Sequence, residues 1–113
     1  MIKYSRFEII CDGEFIASQI PDIGPEFEIE YIRSNLVCIS GRKDFEGQTA
    51  LSESLRLLSR VDEVLSKIGV LERSLTLSFY FEAQCSMEFD HDELMRLSRY
   101  VGSLAIDCYS AGE

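Results

Sequence analysis

Residues 26–31 alternate strictly between carboxylate and bulky apolar side chains. The acids are Glu26, Glu28 and Glu30, and the apolar residues are Phe27, Ile29 and Tyr31. Because successive side chains of a β-strand point to opposite faces, this pattern predicts a strand with a buried apolar face and an exposed acidic face. Such a strand is typical of an antiparallel sheet that is covered on one side only.

The rest of the chain predicts further strands and two long helices. Strands are expected at 3–11, 26–33, 36–40, 74–82 and 103–109, a short helix at 14–20 with Asp12 as its cap, a loop at 41–48, and long helices at 50–68 and 91–101. Leucines at steps of three and four mark the first long helix, with Thr49 as its cap and Gly69 at its end. Asp90 is expected to cap the second. Parity places Leu104, Ile106 and Cys108 of the last strand inside.

This order of elements predicts the fold class. The 113 residues suit a single domain over 1–113. We expect an α+β domain with an antiparallel-dominated sheet of about five strands and two main helices on one face. A ferredoxin-like plait with an added αβ unit is the arrangement that fits this order best.

The charge balance bears on the partners. Twenty acidic residues stand against eleven Lys and Arg, which gives a net charge of −9. Such a field disfavours nucleic acid and anionic lipid and attracts basic surfaces, although simple solubility is an equally good explanation. The chain shows no signal peptide and no apolar run of about 20 residues, so we expect a cytoplasmic protein with no membrane contact.

Four cysteines lie at least 23 positions apart and form no C-x-x-C pair; they are Cys11, Cys38, Cys85 and Cys108. Three of them, Cys11, Cys85 and Cys108, continue apolar stripes of predicted strands. In that position a cysteine most often serves as a small buried hydrophobic residue. Reduced core thiols are therefore expected in preference to two disulfides or a metal site.

The sequence contains no recognisable catalytic or cofactor motif. Phosphate-binding loops and a G-x-S-x-G turn are absent. The single histidine, His91, lies between Asp90 and Asp92 at a helix start, where neighbouring side chains diverge and would not converge on a metal. We therefore expect no cofactor, no metal and no enzymatic activity. Asp107 and Tyr109 on one strand face keep a small-ligand-binding or enzymatic domain open as an alternative.

Residues 50–110 resemble a bacterial domain-of-unknown-function family of small α+β proteins. The matching stretches are Leu51 to Ile68, Leu75 to Phe81, Asp90 to Leu97, and Leu104 to Tyr109, which ends in an Ile-Asp-x-Tyr type sequence. The family has a Trp before the first long helix, and this chain has none. The resemblance implies a fold and no particular activity.

The acidic strand and the net charge together suggest a function. We expect an acidic protein-binding inhibitor, of the kind in which an immunity-type protein neutralises a basic toxin or effector. The candidate partner-binding residues are Glu26, Glu28, Glu30, Tyr31, Tyr80, Glu82, Asp107 and Tyr109, with Glu8 on the same predicted face. A phage-encoded inhibitor that mimics nucleic acid is a further alternative. Both a monomer and a homodimer are compatible with the sequence.

Overall fold

A computed structural model of the protein describes residues 1–15 and 17–112. The strands are β1 (Ile2–Gly13), β2 (Phe27–Arg33), β3 (Leu36–Gly41), β4 (Phe45–Glu46), β5 (Val70–Phe81) and β6 (Ser103–Ser110), and the helices are α1 (Thr49–Ile68) and α2 (His91–Tyr100). All six strands form one sheet in the order β2-β3-β1-β5-β6, and β4 pairs with β1.

The sheet is mixed rather than wholly antiparallel. Its pairs β2/β3, β3/β1, β1/β4 and β1/β5 are antiparallel, whereas β5 and β6 run parallel. The parallel pair arises because α2 carries the chain back before β6 begins, and parallel neighbours require such a crossover. The predicted α+β class is confirmed, a sixth strand comes from the expected loop 41–48, and the ferredoxin-like plait is not confirmed.

The core lies between one face of the sheet and α1. Phe7 and Ile9 of β1 stand opposite Leu77 and Leu75 of β5, and all four are buried. The leucine stripe of α1 is buried against them, and α1 also contacts α2, whose Leu97 belongs to the same core. Both helices therefore cover the same face of the sheet.

Gly69 ends α1 in the left-handed conformation, as the sequence predicts, with φ 105°. Its carbonyl oxygen accepts a hydrogen bond from the Glu14 backbone N–H at 2.9 Å. A Cβ atom at Gly69 would lie 2.7 Å from the Glu14 carbonyl oxygen, so only glycine fits this approach. The end of α1 is thus fastened to the chain that leaves β1.

The helix starts agree with the sequence in one case out of two. Asp90 caps α2 as predicted: its side chain accepts from the Glu93 N–H at 2.8 Å, and the Glu93 side chain accepts from the Asp90 N–H at 3.0 Å. The predicted Thr49 cap is wrong, because Gln48 occupies the cap position and the Thr49 hydroxyl donates to the Glu46 carbonyl.

The short helix predicted at 14–20 is reduced to a single 3₁₀ turn at Ala17–Gln19. Ile16, in the middle of that prediction, lies outside the described residues. The Asp12 side chain, which was expected to cap this helix, accepts instead from the adjacent Gly13 N–H at 2.8 Å within β1. The strand thus continues to the point where the helix was to begin.

The last strand is far more exposed than predicted. Leu104 and Ile106 do face the helix side, in register with Leu75 and Leu77, yet all eight residues of β6 are exposed. The prediction that Leu104, Ile106 and Cys108 are buried is therefore wrong. Within α2, all of which the structure describes, only Leu97 is buried, so the helix does not extend over the outer strand. No helix in the described part of the chain is long and apolar enough to cross a bilayer.

Candidate functional site

The sheet presents one face that neither helix covers. We call it the open face; between the register shifts of the strands it consists of the even-numbered residues in 4–12 of β1, 28–30 of β2, 36–40 of β3 and 72–80 of β5, and of the odd-numbered residues of β6. Strand register divides it into rows that run across the strands. Two of these rows contain acidic side chains toward β2, and a third contains tyrosines toward β6.

Three glutamates form the first group, which we call the carboxylate patch: Glu8, Glu28 and Glu30. Glu28 stands opposite Ser40, and Ser40 stands opposite Glu8, so the two acids share one row with a single strand between them. Their Cα atoms are therefore about 10 Å apart. Arg42 Nη1 donates to Glu28 Oε2 at 3.3 Å in a pair whose side chains are both 55% exposed. An ion pair this exposed leaves the patch accessible to a competing cation.

Cys38 lies within the carboxylate patch, and its thiol donates to Glu8 Oε2 at 3.5 Å. Burial first, and then the negative charge of Glu8, raises the pKa of Cys38 to about 12. Burial likewise raises the pKa of Cys11 to about 11. Both thiols stay protonated at neutral pH and are poor nucleophiles. The patch is therefore a charged surface and not a cysteine active site.

The cysteine prediction is confirmed for two residues and wrong for the other two. Cys11 and Cys38 are free and buried, as expected. Cys85 and Cys108 form a disulfide bond instead of remaining reduced. Strand parity placed both side chains on the helix side, but it could not show that the loop after β5 returns to the end of β6.

Three tyrosines form the second group, which we call the tyrosine ladder: Tyr4, Tyr80 and Tyr109. Tyr80 stands in register with both of the others. Its ring centroid lies 4.5 Å from that of Tyr4 and 5.1 Å from that of Tyr109, with interplanar angles of 13° and 25°. Stacking of this kind contributes about 0.5–1.5 kcal/mol per pair beyond the buried area. The rings lie face to face, so Tyr80 has no free ring face for a nucleic-acid base.

Arg6 borders the tyrosine ladder. Its guanidinium carbon lies 5.1 Å from the Tyr80 ring centroid and 5.9 Å from that of Tyr4, and its Nη1 donates to the Tyr80 hydroxyl at 3.5 Å. Its Nε also donates to Asp44 Oδ1. This hydrogen bond is the main cause of the raised pKa of Arg6, so the guanidinium stays charged. The positive charge of Arg6 thus lies between the tyrosine ladder and Glu8 of the carboxylate patch.

The open face gathers five of the eight residues predicted as partner-binding: Glu28, Glu30, Tyr80, Asp107 and Tyr109. The other three lie elsewhere. Glu26 precedes β2 in a turn. Tyr31 faces the helix side and is 59% exposed, so the prediction that it is interior is wrong. Glu82 follows β5 and accepts from Lys3 Nζ at 2.8 Å.

Tyr4 was missed as a binding candidate by the sequence analysis. A usable signal was present, because Tyr4 has the opposite parity to the buried Phe7 and therefore faces away from the core. What the sequence did not contain was the pairing of β1 with β5, which brings Tyr4 against Tyr80.

A cavity of ≈ 660 Å³ lies where β5 and β6 begin, and its walls include Arg73, Asp62 and Tyr100. Arg73 donates to Asp62, to the Tyr100 carbonyl oxygen and to Ser66 Oγ, so its donors are engaged in holding the fold together. Among the described residues, no group of three or more His, Cys, Asp or Glu side chains could hold a metal ion. His91 lies exposed at the start of α2.

No family model, curated protein or solved structure matches this chain. The resemblance of residues 50–110 to a bacterial domain-of-unknown-function family therefore stays a prediction. The site has to be interpreted from its own geometry and charge.

Proposed function

We propose that this protein binds a basic protein through the open face of its sheet and inhibits it, in the manner of an immunity-type protein. The observation that carries the proposal is the presence of the carboxylate patch and the tyrosine ladder on one face that no helix covers. Complementary charge accelerates association, and aromatic side chains contribute much of the binding energy at tight protein interfaces.

The charges favour a cationic partner. A net charge of −9 attracts basic surfaces over a distance of about 10 Å at ordinary salt. The carboxylate patch concentrates this field at Glu8, Glu28 and Glu30. Complementary charge mainly accelerates association and selects the partner, while tight binding requires further contacts.

The tyrosine ladder would supply those contacts. Tyrosine is enriched among the residues that dominate binding energy, because it combines a large apolar ring with a polar tip. The three rings are held by strand pairing and by stacking on one another. Little side-chain entropy would be lost when they meet a partner, so the face is organised before binding.

The geometry favours this proposal over the two alternatives. A nucleic-acid mimic would spread its acids along an extended surface. On the open face, Arg6 and the tyrosine ladder instead occupy the end opposite Asp12 and Glu72, and Asp107 is the only acid on the β6 side. An enzyme built on Asp107 and Tyr109 would partly desolvate its acid, whereas Asp107 is exposed and Tyr109 is 46% exposed. The proposal includes a cytoplasmic location. The Cys85–Cys108 disulfide argues against this location, because cytosolic reductants usually keep such thiols reduced.

The proposal is tested by affinity capture from source cells at low salt, followed by binding kinetics with each captured protein. The test variant combines Glu8→Gln, Glu28→Gln and Glu30→Gln. The control variant combines Glu14→Gln, Glu63→Gln and Glu88→Gln, which are exposed glutamates outside the carboxylate patch with the same total change in charge. We expect a basic protein whose association slows about 10-fold or more with the test variant and far less with the control.

A second variant tests the ladder separately. Tyr4→Ala removes the ring at the β1 end, and we expect the captured protein to dissociate about 30-fold faster, as for a strong interface residue. Capture of an acidic partner, or equal association rates for both glutamine variants, would contradict the proposal. Failure to inhibit the captured protein's activity would limit the function to binding.

A further inference from the structure

The outer edge of β6 has few of the features that normally protect an edge strand. Its eight residues, 103–110, contain no Lys, Arg, Pro or Gly, and Asp107 is the only charge. All eight are exposed, and among the described strands β6 has β5 as its neighbour on one side and no strand on the other. Edge strands of monomeric proteins usually contain charges, prolines or bulges, because unpaired N–H and C=O groups recruit another strand.

Large apolar side chains flank this edge on the helix side. Leu104 and Ile106 of β6 are 36% and 40% exposed, and Leu94 and Met95 of α2 are 49% and 55% exposed. A groove of ≈ 400 Å³ between α2 and β6 is lined by Leu97, Val101 and Leu104 among others. On its helix side, β6 thus presents exposed apolar side chains next to its outer edge.

We propose that two copies of this chain pair antiparallel through β6 to form a homodimer with a continuous sheet. A two-fold axis perpendicular to the sheet places the helices of both copies on the same side, so the exposed apolar side chains meet. The paired edge is about 27 Å long. This surface is separate from the carboxylate patch, so the dimer does not rest on the proposed partner.

The sequence of β6 selects the register. Because the two-fold axis is perpendicular to the sheet, each residue of β6 pairs with a residue of the same face in the other copy. Near the middle of the strand, the axis can therefore pass through a pair of Ile106 residues or through a pair of Asp107 residues. An axis at Asp107 sets two carboxylates directly opposite each other, which destabilises a sheet. With the axis at Ile106, this residue faces itself, Leu104 faces Cys108, and Asp107 faces Ala105. The strand is thus self-complementary in one central register, and this favours a second copy over another occupant.

The overall charge gives the dimer a distinctive salt response. Two chains of −9 repel each other, and salt screens that repulsion. Dimerisation should therefore strengthen with ionic strength, whereas binding of a basic partner should weaken. The two proposals can fail independently, because salt should shift the two equilibria in opposite directions and the test variants change different residues.

The test is sedimentation analysis of the full chain over a range of concentrations at low and high salt. We expect a monomer–dimer equilibrium that shifts toward dimer at high salt. Ile106→Asp should weaken the dimer by at least about 100-fold, because it puts two charges at the axis. The matched control is Ile32→Asp at the opposite edge, where Ile32 is 53% exposed, and it should leave the dimer unchanged.

Cross-linking tests the register even if Ile106→Asp fails to fold. Ile106→Cys places two thiols directly opposite each other, with Cα atoms about 5 Å apart, within the range that a disulfide spans. In the same register, paired Asp107→Cys residues would lie about 8 Å apart, too far to bridge. Mild oxidation should therefore link Ile106→Cys and not Asp107→Cys. A wild-type monomer at every concentration and salt, or the reverse cross-linking preference, would overturn the proposal.

Discussion

The two edges of the sheet differ in what protects them and in what holds them. The β2 edge has Glu28, Glu30 and Arg33 among its seven residues and joins its neighbour through a tight hairpin turn. The β6 edge has one carboxylate, Asp107, in eight residues. It reaches its neighbour through α2, and its Cys108 is bonded to Cys85 in the loop after β5. Charged side chains protect the β2 edge from pairing with another strand, and a disulfide bond fastens the β6 edge.

This difference assigns the two edges different roles. Charge on an edge strand discourages pairing with another strand and remains available to a charged ligand. An uncharged edge with apolar flanks is suited to pairing. The charged part of the proposed partner surface therefore lies toward β2, and the proposed dimer contact lies at the outer edge of β6. Mutations in the two regions should therefore have unequal effects on stability.

The largest expected effect is at Arg73, which supports the β6 side. Its side chain is 9% exposed and donates to Asp62, both to the carboxylate and to the backbone carbonyl oxygen. Arg73→Met leaves Asp62 and the Tyr100 carbonyl without these donors. We expect a loss of about 3–5 kcal/mol in unfolding free energy, toward the lower value because Asp62 is 39% exposed and regains water. Urea unfolding measures the loss.

Arg42 provides the matched comparison on the β2 side. Arg42→Met removes the exposed pair with Glu28, and the expected loss is below about 1 kcal/mol. If both arginine variants destabilise the protein equally, the distinction between a fastened edge and a charged edge is wrong.

The next effect in size concerns the disulfide. Cys85 and Cys108 close a loop with a sequence separation of 23, and Cys85→Ser with Cys108→Ser should cost about 3 kcal/mol by releasing constraint on the unfolded chain. We expect hydrogen exchange to accelerate in β6 and in the loop at 82–90, while β2 and β3 keep their protection. Addition of a reductant should reproduce the change in the wild type and leave the double variant unaffected. Equal loss of protection in β2 would show that the two edges are not independent.

The sequence predicted local structure well because local structure depends on neighbouring residues. Alternation placed Phe27 and Ile29 on the helix side, where Phe27 is buried and Ile29 packs against the core. The cap at Asp90 and the helix end at Gly69 depend on a few adjacent side chains and were correct. Parity also distinguished the acidic side of β2 from its apolar side. These features need no knowledge of which strands are neighbours.

What the sequence could not predict depends on strand order. Parity gives the face of a residue but not whether anything covers that face, so Tyr31 and Ile106 were placed inside although both are exposed. The tyrosine ladder requires β5 to lie between β1 and β6, and no local pattern specifies this order. The Cys85–Cys108 bond is likewise a contact between a loop and a strand.

Near neutral pH the smallest expected effect is that of the two buried thiols, which weaken the β2 side only at alkaline pH. Burial raises the pKa of Cys11 to about 11 and that of Cys38 to about 12, above an ordinary value of 9.0. The folded state therefore holds these protons more tightly than the unfolded state does. Their contribution to stability is complete below about pH 9 and is lost as pH rises from there toward 11–12. Each thiol can lower the unfolding free energy by up to about 1.4 kcal/mol per pH unit in that window.

Comparison with a thiol-free variant isolates this effect from other alkaline titrations. Cys11→Ala with Cys38→Ala starts less stable because of the space it leaves, but its stability should fall less steeply between pH 9 and 11. Cys85 and Cys108 contribute nothing to the difference, since disulfide sulfurs do not titrate. Cys38 lies on β3 beside β2, and Cys11 lies on β1. As pH rises, β2 and β3 should therefore lose their protection from hydrogen exchange before β6 does. Parallel pH slopes for the two proteins would show that the thiols ionise without cost in the folded state, and that the interior under the carboxylate patch is wetter than its burial indicates.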